Sequence, residues 1–365
     1  ANIFNLANAA ASNKNYDEAQ KAFAYLIDKG KRDVFYLPAS LQLMRMQYER
    51  FVSEDVPPPG DAAGLKTKFD QTLTTLGVSA ATSGLLCDEA HLLAFYLDQP
   101  EAAIKLLDDG LALPGLNLPQ ISTLKSELSD VYVYSGKFWD AIISYSQVIE
   151  SNKANSLGDD VKLRKAKLGY YMGNFKWAKA QLDVLRASTS KLIANDAMYL
   201  SLFLDENMDG DSVAQPLRIF ARADWQLFRN NYPDALAELD SISRLYPSNS
   251  LEDDVDFRKA GIFEKQGKYE QAAALLDTIV NSFSSGMLAD DALFHLAGIY
   301  QYKLNRAKDA MELYKKMLTD YPGSVYVIDS RNEYRKIQEA LKTGSSAEQT
   351  PTKNDLPFKS EMPTP

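Results

Sequence analysis

One short phrase recurs along this chain, and its spacing leaves few folds open. KNYDEA at 14–19, GKFWDA at 136–141, GNFKWA at 173–178, NNYPDA at 230–235 and GKYEQA at 267–272 share one outline. Each has a turn-forming start, an aromatic and a closing alanine. Aligned on that alanine, Ala19, Ala103, Ala141, Ala178, Ala235, Ala272 and Ala310 stand 84, 38, 37, 57, 37 and 38 residues apart. A period of this length is that of a helical hairpin, which cannot hide its apolar flank alone and must stack on the next. The gap of 84 leaves room for one degenerate unit, with helices expected near 34–52 and 61–76.

The internal order of each unit supports a hairpin. Apolar residues at helical spacing come first, as in Phe257, Ala260 and Phe263, or Leu128 and Tyr132. Gly136, Gly173, Asn230, Gly267 and Asn305 follow, residue types that tolerate the left-handed backbone needed to reverse the chain. Phe138, Phe175, Tyr232 and Tyr269 then pack across the turn, and the alanine lets the two helices approach closely. Four and seven residues beyond it runs a second apolar stripe: Tyr145 and Val148, Leu182 and Leu185, Leu239 and Ile242, Leu276 and Ile279, Tyr314 and Met317. Pro247 and Pro322 end their helices, because proline has no amide hydrogen to continue the ladder.

These residues resemble the tetratricopeptide repeat. One unit matches its pattern at Ala260, Phe263, Gly267, Tyr269 and Ala272, and the last at Gly298, Ala310, Tyr314 and Pro322. The spacing of 37 to 38 departs from the usual 34, and Ala307 stands where an aromatic is expected. The resemblance implies an all-α, right-handed superhelical solenoid that binds a protein or peptide and is not an enzyme. The joining segments around Tyr246-Pro247 and Tyr321-Pro322 are similar to the linkers of bacterial cell-envelope tetratricopeptide proteins. Outer-membrane assembly lipoproteins and Tol-associated division coordinators are of this kind. That similarity implies the periplasm or the outer-membrane periphery, with the cytoplasm as the alternative.

The organisation expected is an N-terminal array over 1–189, an inserted helix and acidic loop over 190–216, and a C-terminal array with a capping helix over 217–341. A disordered polar tail is expected over 342–365. The proline-rich VPPPGDAAG at 56–64 reads as a stiff linker.

By the same resemblance the first helix of each pair lines a concave groove. The positions carried over are Phe95, Tyr96, Asp130, Tyr134, Arg164, Lys167, Tyr170, Tyr171, Asp224, Phe228, Tyr302 and Lys303. Such rings could hold a peptide, with Arg164 and Lys167 as partners for a carboxylate, or could simply pack between neighbouring helices. An insertion serving as a ligand site of an enzyme complex, and self-association, are the alternative functions.

Composition narrows the rest. A net charge of −9 argues against nucleic acid, whose binding needs clustered Lys and Arg. The single cysteine, Cys87, forms no intramolecular disulfide and reads as a small apolar core residue. No apolar run reaches the ~20 residues of a spanning helix, and ANIFNLANAA at the start shows no signal-peptide pattern. His91 and His295 fall in different units, too far apart to share a metal. The pairs Asp253–Asp254 and Asp290–Asp291 suit helix starts, where they complement the dipole. Asp205, Asn207, Asp209 and Gly210 match the opening of a calcium loop, but Ser212 and Pro216 break its second half, leaving calcium a weak candidate. No cofactor is expected.

Overall fold

The computed structural model describes residues 2–53, 60–188, 190–208 and 215–343. Residues Val56–Pro59 of the proline-rich linker, Asp209, Gly210 and Ser212 of the calcium-like loop, and the tail from 344 lie outside them. Among the described residues are eighteen α-helices and one short 3₁₀ turn, with no strand.

The chain divides into two units, described separately. The first comprises Ala1–Leu204 together with Phe228–Asn230. Its hairpins are α1 (Asn2–Ser12) with α2 (Tyr16–Ile27), α3 (Tyr36–Val52) with α4 (Asp61–Leu76), α5 (Ser83–Phe95) with α6 (Pro100–Leu111), α7 (Leu118–Tyr134) with α8 (Phe138–Ser151), and α9 (Ser156–Tyr171) with α10 (Phe175–Ser188). Then comes α11 (Lys191–Asn207), most of which lies in this unit. The second comprises Asp205–Leu227 and Asn231–Pro365. It holds most of α12 (Gln215–Phe228), then α13 (Tyr232–Leu245), the pair α14 (Glu252–Lys265) and α15 (Tyr269–Ser282), the pair α16 (Ala289–Tyr302) and α17 (Ala307–Asp320), and finally α18 (Val327–Thr343).

The degenerate unit expected between Ala19 and Ala103 is the α3–α4 pair. All seven closing alanines are 0% exposed, so each sits where its two helices press together. The residue five places before each has a positive φ: Lys14, Asp98, Gly136, Gly173, Asn230, Gly267 and Asn305, at 59, 50, 74, 75, 56, 71 and 54°. Two residues after each of these, the second helix begins: Tyr16, Pro100, Phe138, Phe175, Tyr232, Tyr269 and Ala307. A left-handed residue reverses the chain in the fewest atoms, and the fixed offset keeps every apolar stripe facing inward. The pairs at four and seven residues past the alanine are buried wherever they were expected, and Phe23 and Leu26 extend the pattern to α2.

Packing follows the stacked logic: each pair joins its own two helices, and the second helix meets the first helix of the next pair, as α6 meets α7 and α15 meets α16. Long-range polar bonds therefore fall near the repeat spacing. The Tyr134 hydroxyl donates to Asp98 Oδ1 at 2.9 Å, Lys137 Nζ to Glu101 Oε1 at 2.9 Å, and the Tyr326 hydroxyl to Asp291 Oδ1 at 2.5 Å. At the end of the second unit α18 covers α17; the Tyr326 ring stacks on Phe294 with centroids 4.4 Å apart. Glu333 of α18 is buried and accepts from Gln301 Nε2 at 2.9 Å and the Tyr302 hydroxyl at 2.5 Å. The capping helix is thus tied by polar as well as apolar contacts.

Candidate protein-interaction site

Within the first unit, polar side chains of the first helices α5, α7 and α9 meet one another. His91 of α5 stacks on Phe95 one turn on, with centroids 4.2 Å apart and planes 10° from parallel. Its Nδ1 lies 3.0 Å from Glu127 Oε1 on α7. Burial works against the charged imidazole, but the hydrogen bond and charge of Glu127, aided by Asp130 and Asp88, outweigh it and hold the His91 pKa above its ordinary value. Asp130, one turn from Glu127, is buried and accepts from the Tyr145 hydroxyl of α8 on Oδ1 and from Arg164 of α9 on Oδ2. The second amino group of Arg164 reaches Asp160 Oδ2 at 2.7 Å. Burial pushes the Asp130 carboxyl up against the opposing pull of Arg164, and Asp130 in turn raises Arg164. Charge-assisted contacts thus join α7 to α5 through Glu127, and to α8 and α9 through Asp130.

Beside this network is a cleft of about 130 Å³ lined by Asp130, Val133, Tyr145, Arg164, Lys167, Tyr171 and Phe228. Phe228 groups with the first unit, its ring 5.2 Å from Phe95 and 6.0 Å from Tyr171. Five of the sequence-selected residues, Asp130, Arg164, Lys167, Tyr171 and Phe228, therefore meet around one opening. Two lining residues escaped sequence reasoning. Val133 gives no chemical signal, and Tyr145 lies on a second helix, where only its core-stripe position was considered.

The other selected positions lie outside this cleft. Tyr170 is fully buried against Phe175 and Phe203, so the core, and not a partner, claims its ring. Phe95 and Tyr134 are buried edge to face with each other, centroids 4.9 Å apart. Tyr96 is half-buried with its ring against Phe51 at 4.9 Å. In the second unit Asp224 is buried in an ion pair with Arg258, Nε to Oδ1 at 2.9 Å, which joins α12 to α14. Tyr302 is tied to Glu333, and the Lys303 ammonium lies over the Tyr269 ring, 5.1 Å from its centroid.

Of the calcium candidate, Asp205 and Asn207 fall among the described residues and Asp209 outside them. Asp205 and Asn207 are still inside α11. Asn207 is buried; it donates to Asp254 Oδ2 at 3.4 Å and accepts from Ser250 Oγ at 2.7 Å, tying α11 to the start of α14 within the second unit. Among the described residues no group of three His, Cys, Asp or Glu is arranged to hold a metal ion. The acidic starts of α14 and α16 do more than complement the helix dipole: Asp254 is buried, which with the charge of Asp253 pushes its pKa up to about 8, and burial pushes Asp291 up to about 6. No helix among the described residues is long and apolar enough to cross a membrane.

No curated protein matches the sequence. Among solved structures, a tetratricopeptide repeat protein from Parabacteroides merdae is 14% identical, with 82% of this chain and 99% of that chain covered and a TM-score of 0.32. The C-terminal part of a repeat-containing protein from Cytophaga hutchinsonii is also 14% identical, covering 80% of this chain and 98% of that one at a TM-score of 0.32. The P58(IPK) TPR domain is 15% identical, covering 94% and 98% at a TM-score of 0.29. A sequence model of the tetratricopeptide repeat matches residues 220–287 and 257–325. This chain is an all-α repeat protein, and its residues 220–325 carry repeats of the tetratricopeptide type.

Proposed function

We propose that the chain is a non-catalytic scaffold that binds a protein or peptide segment along the first helices of its first unit. The observation that carries this reading is the convergence of Arg164, Lys167, Tyr171 and Phe228 around one cleft beside a rigid Asp130 network. Half-buried rings and cations grouped at a preformed concavity are the composition of a protein-binding hot spot. Stacked repeats present such faces on a framework that each neighbour holds in place. The finer reading is a role in a bacterial envelope assembly, secretion or division complex, at the periplasmic or outer-membrane periphery. What supports it is the likeness of the segments around Tyr246-Pro247 and Tyr321-Pro322 to envelope repeat proteins.

The test is affinity capture from the native organism with the wild-type chain and with a Tyr171→Ala, Lys167→Glu double variant, followed by mass spectrometry. A partner retained by the first and lost by the second, with helix content unchanged, supports the scaffold reading. Equal capture by both overturns the placement of the site. Partners drawn only from the cytosol overturn the envelope reading.

A further inference from the structure

We propose that the cleft between α7, α8 and α9 takes one uncharged apolar side chain, of the size of phenylalanine or leucine, from a partner segment. The proposal rests on reading this face as a protein-binding surface, and goes further by naming the chemistry of the anchor.

Size is the first constraint. The opening measures about 130 Å³. A cavity of about 150 Å³ accepts one benzene ring, so this one suits a single ring or branched aliphatic group and nothing larger.

Charge supplies the second. Arg164 and Lys167 in the lining suggest an acidic guest, but the bonding argues otherwise. Both oxygens of Asp130 are used, one by Tyr145 and one by Arg164. Both terminal amino groups of Arg164 are used, by Asp130 and by Asp160. Lys167 is engaged as well. An incoming carboxylate would meet the Asp130 and Asp160 carboxylates that Arg164 already neutralises, and an incoming cation would have to compete with Arg164 for the buried Asp130. An apolar guest disturbs none of these bonds. It packs beside the buried Val133 and covers the rings of Tyr171 and Phe228, which are half-buried and so still have surface to remove from water.

Rigidity is the third. Tyr145, Asp130 and Arg164 come from three helices and lock one another, so the walls stand in place before anything arrives. The charged groups therefore build the pocket, and the apolar groups read the guest.

The experiment uses the full chain with ¹³C-labelled valine methyls and titrates in the N-acetyl amides of phenylalanine, leucine, aspartate and lysine. The expected result is a saturable shift of the Val133 methyl signals by the phenylalanine or leucine amide, with a dissociation constant about tenfold or more below those of the charged amides. Raising salt from about 50 to 500 mM leaves that constant unchanged, because no ion pair forms. Phe228→Ala, folded by circular dichroism, weakens it several-fold. Binding of the aspartate or lysine amide as tight as that of the apolar ones overturns the proposal, as does the absence of any Val133 shift. Since the probe is read without a partner, apolar binding in a chain that captures no protein supports the pocket while removing only the scaffold reading.

Discussion

Gly267 offers the sharpest test of why the repeated turn is built as it is. Its φ is +71°, and a Cβ added there would meet nothing within 4 Å. Gly267→Ala therefore adds backbone strain without a steric clash. A left-handed backbone costs an L-residue about 1–2 kcal/mol, while loss of glycine's freedom in the unfolded chain returns about 0.4–1 kcal/mol. The net expectation is a destabilisation of about 1 kcal/mol. Gly323 is the internal control: it is equally uncrowded but lacks a positive φ, so the same substitution gains stability by about 0.4–1 kcal/mol. Lys14, already left-handed at φ 59°, should respond in the opposite sense to Gly267, with Lys14→Gly neutral to slightly stabilising. Urea titration followed by circular dichroism measures the change. Hydrogen exchange across α14 and α15 locates it, since repeat arrays need not unfold in one step. If Gly267→Ala and Gly323→Ala shift stability equally, the left-handed turn is not what the phrase protects, and the argument fails.

Three further outcomes are expected. His295 is buried, and desolvation lowers its pKa from 6.5 to about 4, so its unfolded form binds a proton first as the pH falls. The stability it contributes is present above about pH 6.5 and lost on the way down to about 4; between pH 7 and 4, His295→Gln should gain about 3 kcal/mol relative to wild type, and parallel urea curves for the two would refute this. Asp224→Ala removes the ion-pair partner of the buried Arg258 guanidinium and should cost about 3 kcal/mol in the second unit, whereas Asp224→Leu with Arg258→Met should recover most of it, as urea titration of the variants would show. Gly169→Ala sets a methyl 2.5 Å from Cε3 and Cζ3 of the Trp177 ring; that half-open ring should swing outward and red-shift the tryptophan emission, with stability changed by no more than about 1 kcal/mol.

The turn chemistry explains what the sequence could announce. Gly136, Gly173, Asn230, Gly267 and Asn305 are residue types that favour the left-handed region, and each adopts it. Asp98 does the same with the weaker preference of aspartate, and Lys14 with none; only its offset from Ala19 betrays it. The lining of the cleft is harder to read because one residue along a helix turns the side chain by about 100°. Tyr170 and Tyr171 are identical in type and adjacent, yet the first is buried in the core and the second lines the cleft. Asp224 shows a related difficulty: an acidic side chain on a first helix reads as solvent-facing until its buried counterpart, Arg258, 34 positions away, is known. Tyr145 entered the cleft from a second helix, and no pattern confined to first helices could include it.

Bonds spanning about one repeat, such as Tyr134 to Asp98 and Lys137 to Glu101, have a mechanical consequence. Each fastens a hairpin to its immediate neighbour and to nothing farther along, like the teeth of a zip. Once the contacts of Phe228 and Asn230 with Phe95 have parted, the stretch from α5 to α10 should yield tooth by tooth when drawn apart by its ends, each release paying out the 37 or 38 residues between Ala103, Ala141 and Ala178. At about 3.4 Å per extended residue that is roughly 125 Å of slack per event, a sawtooth that a single-molecule tether would record.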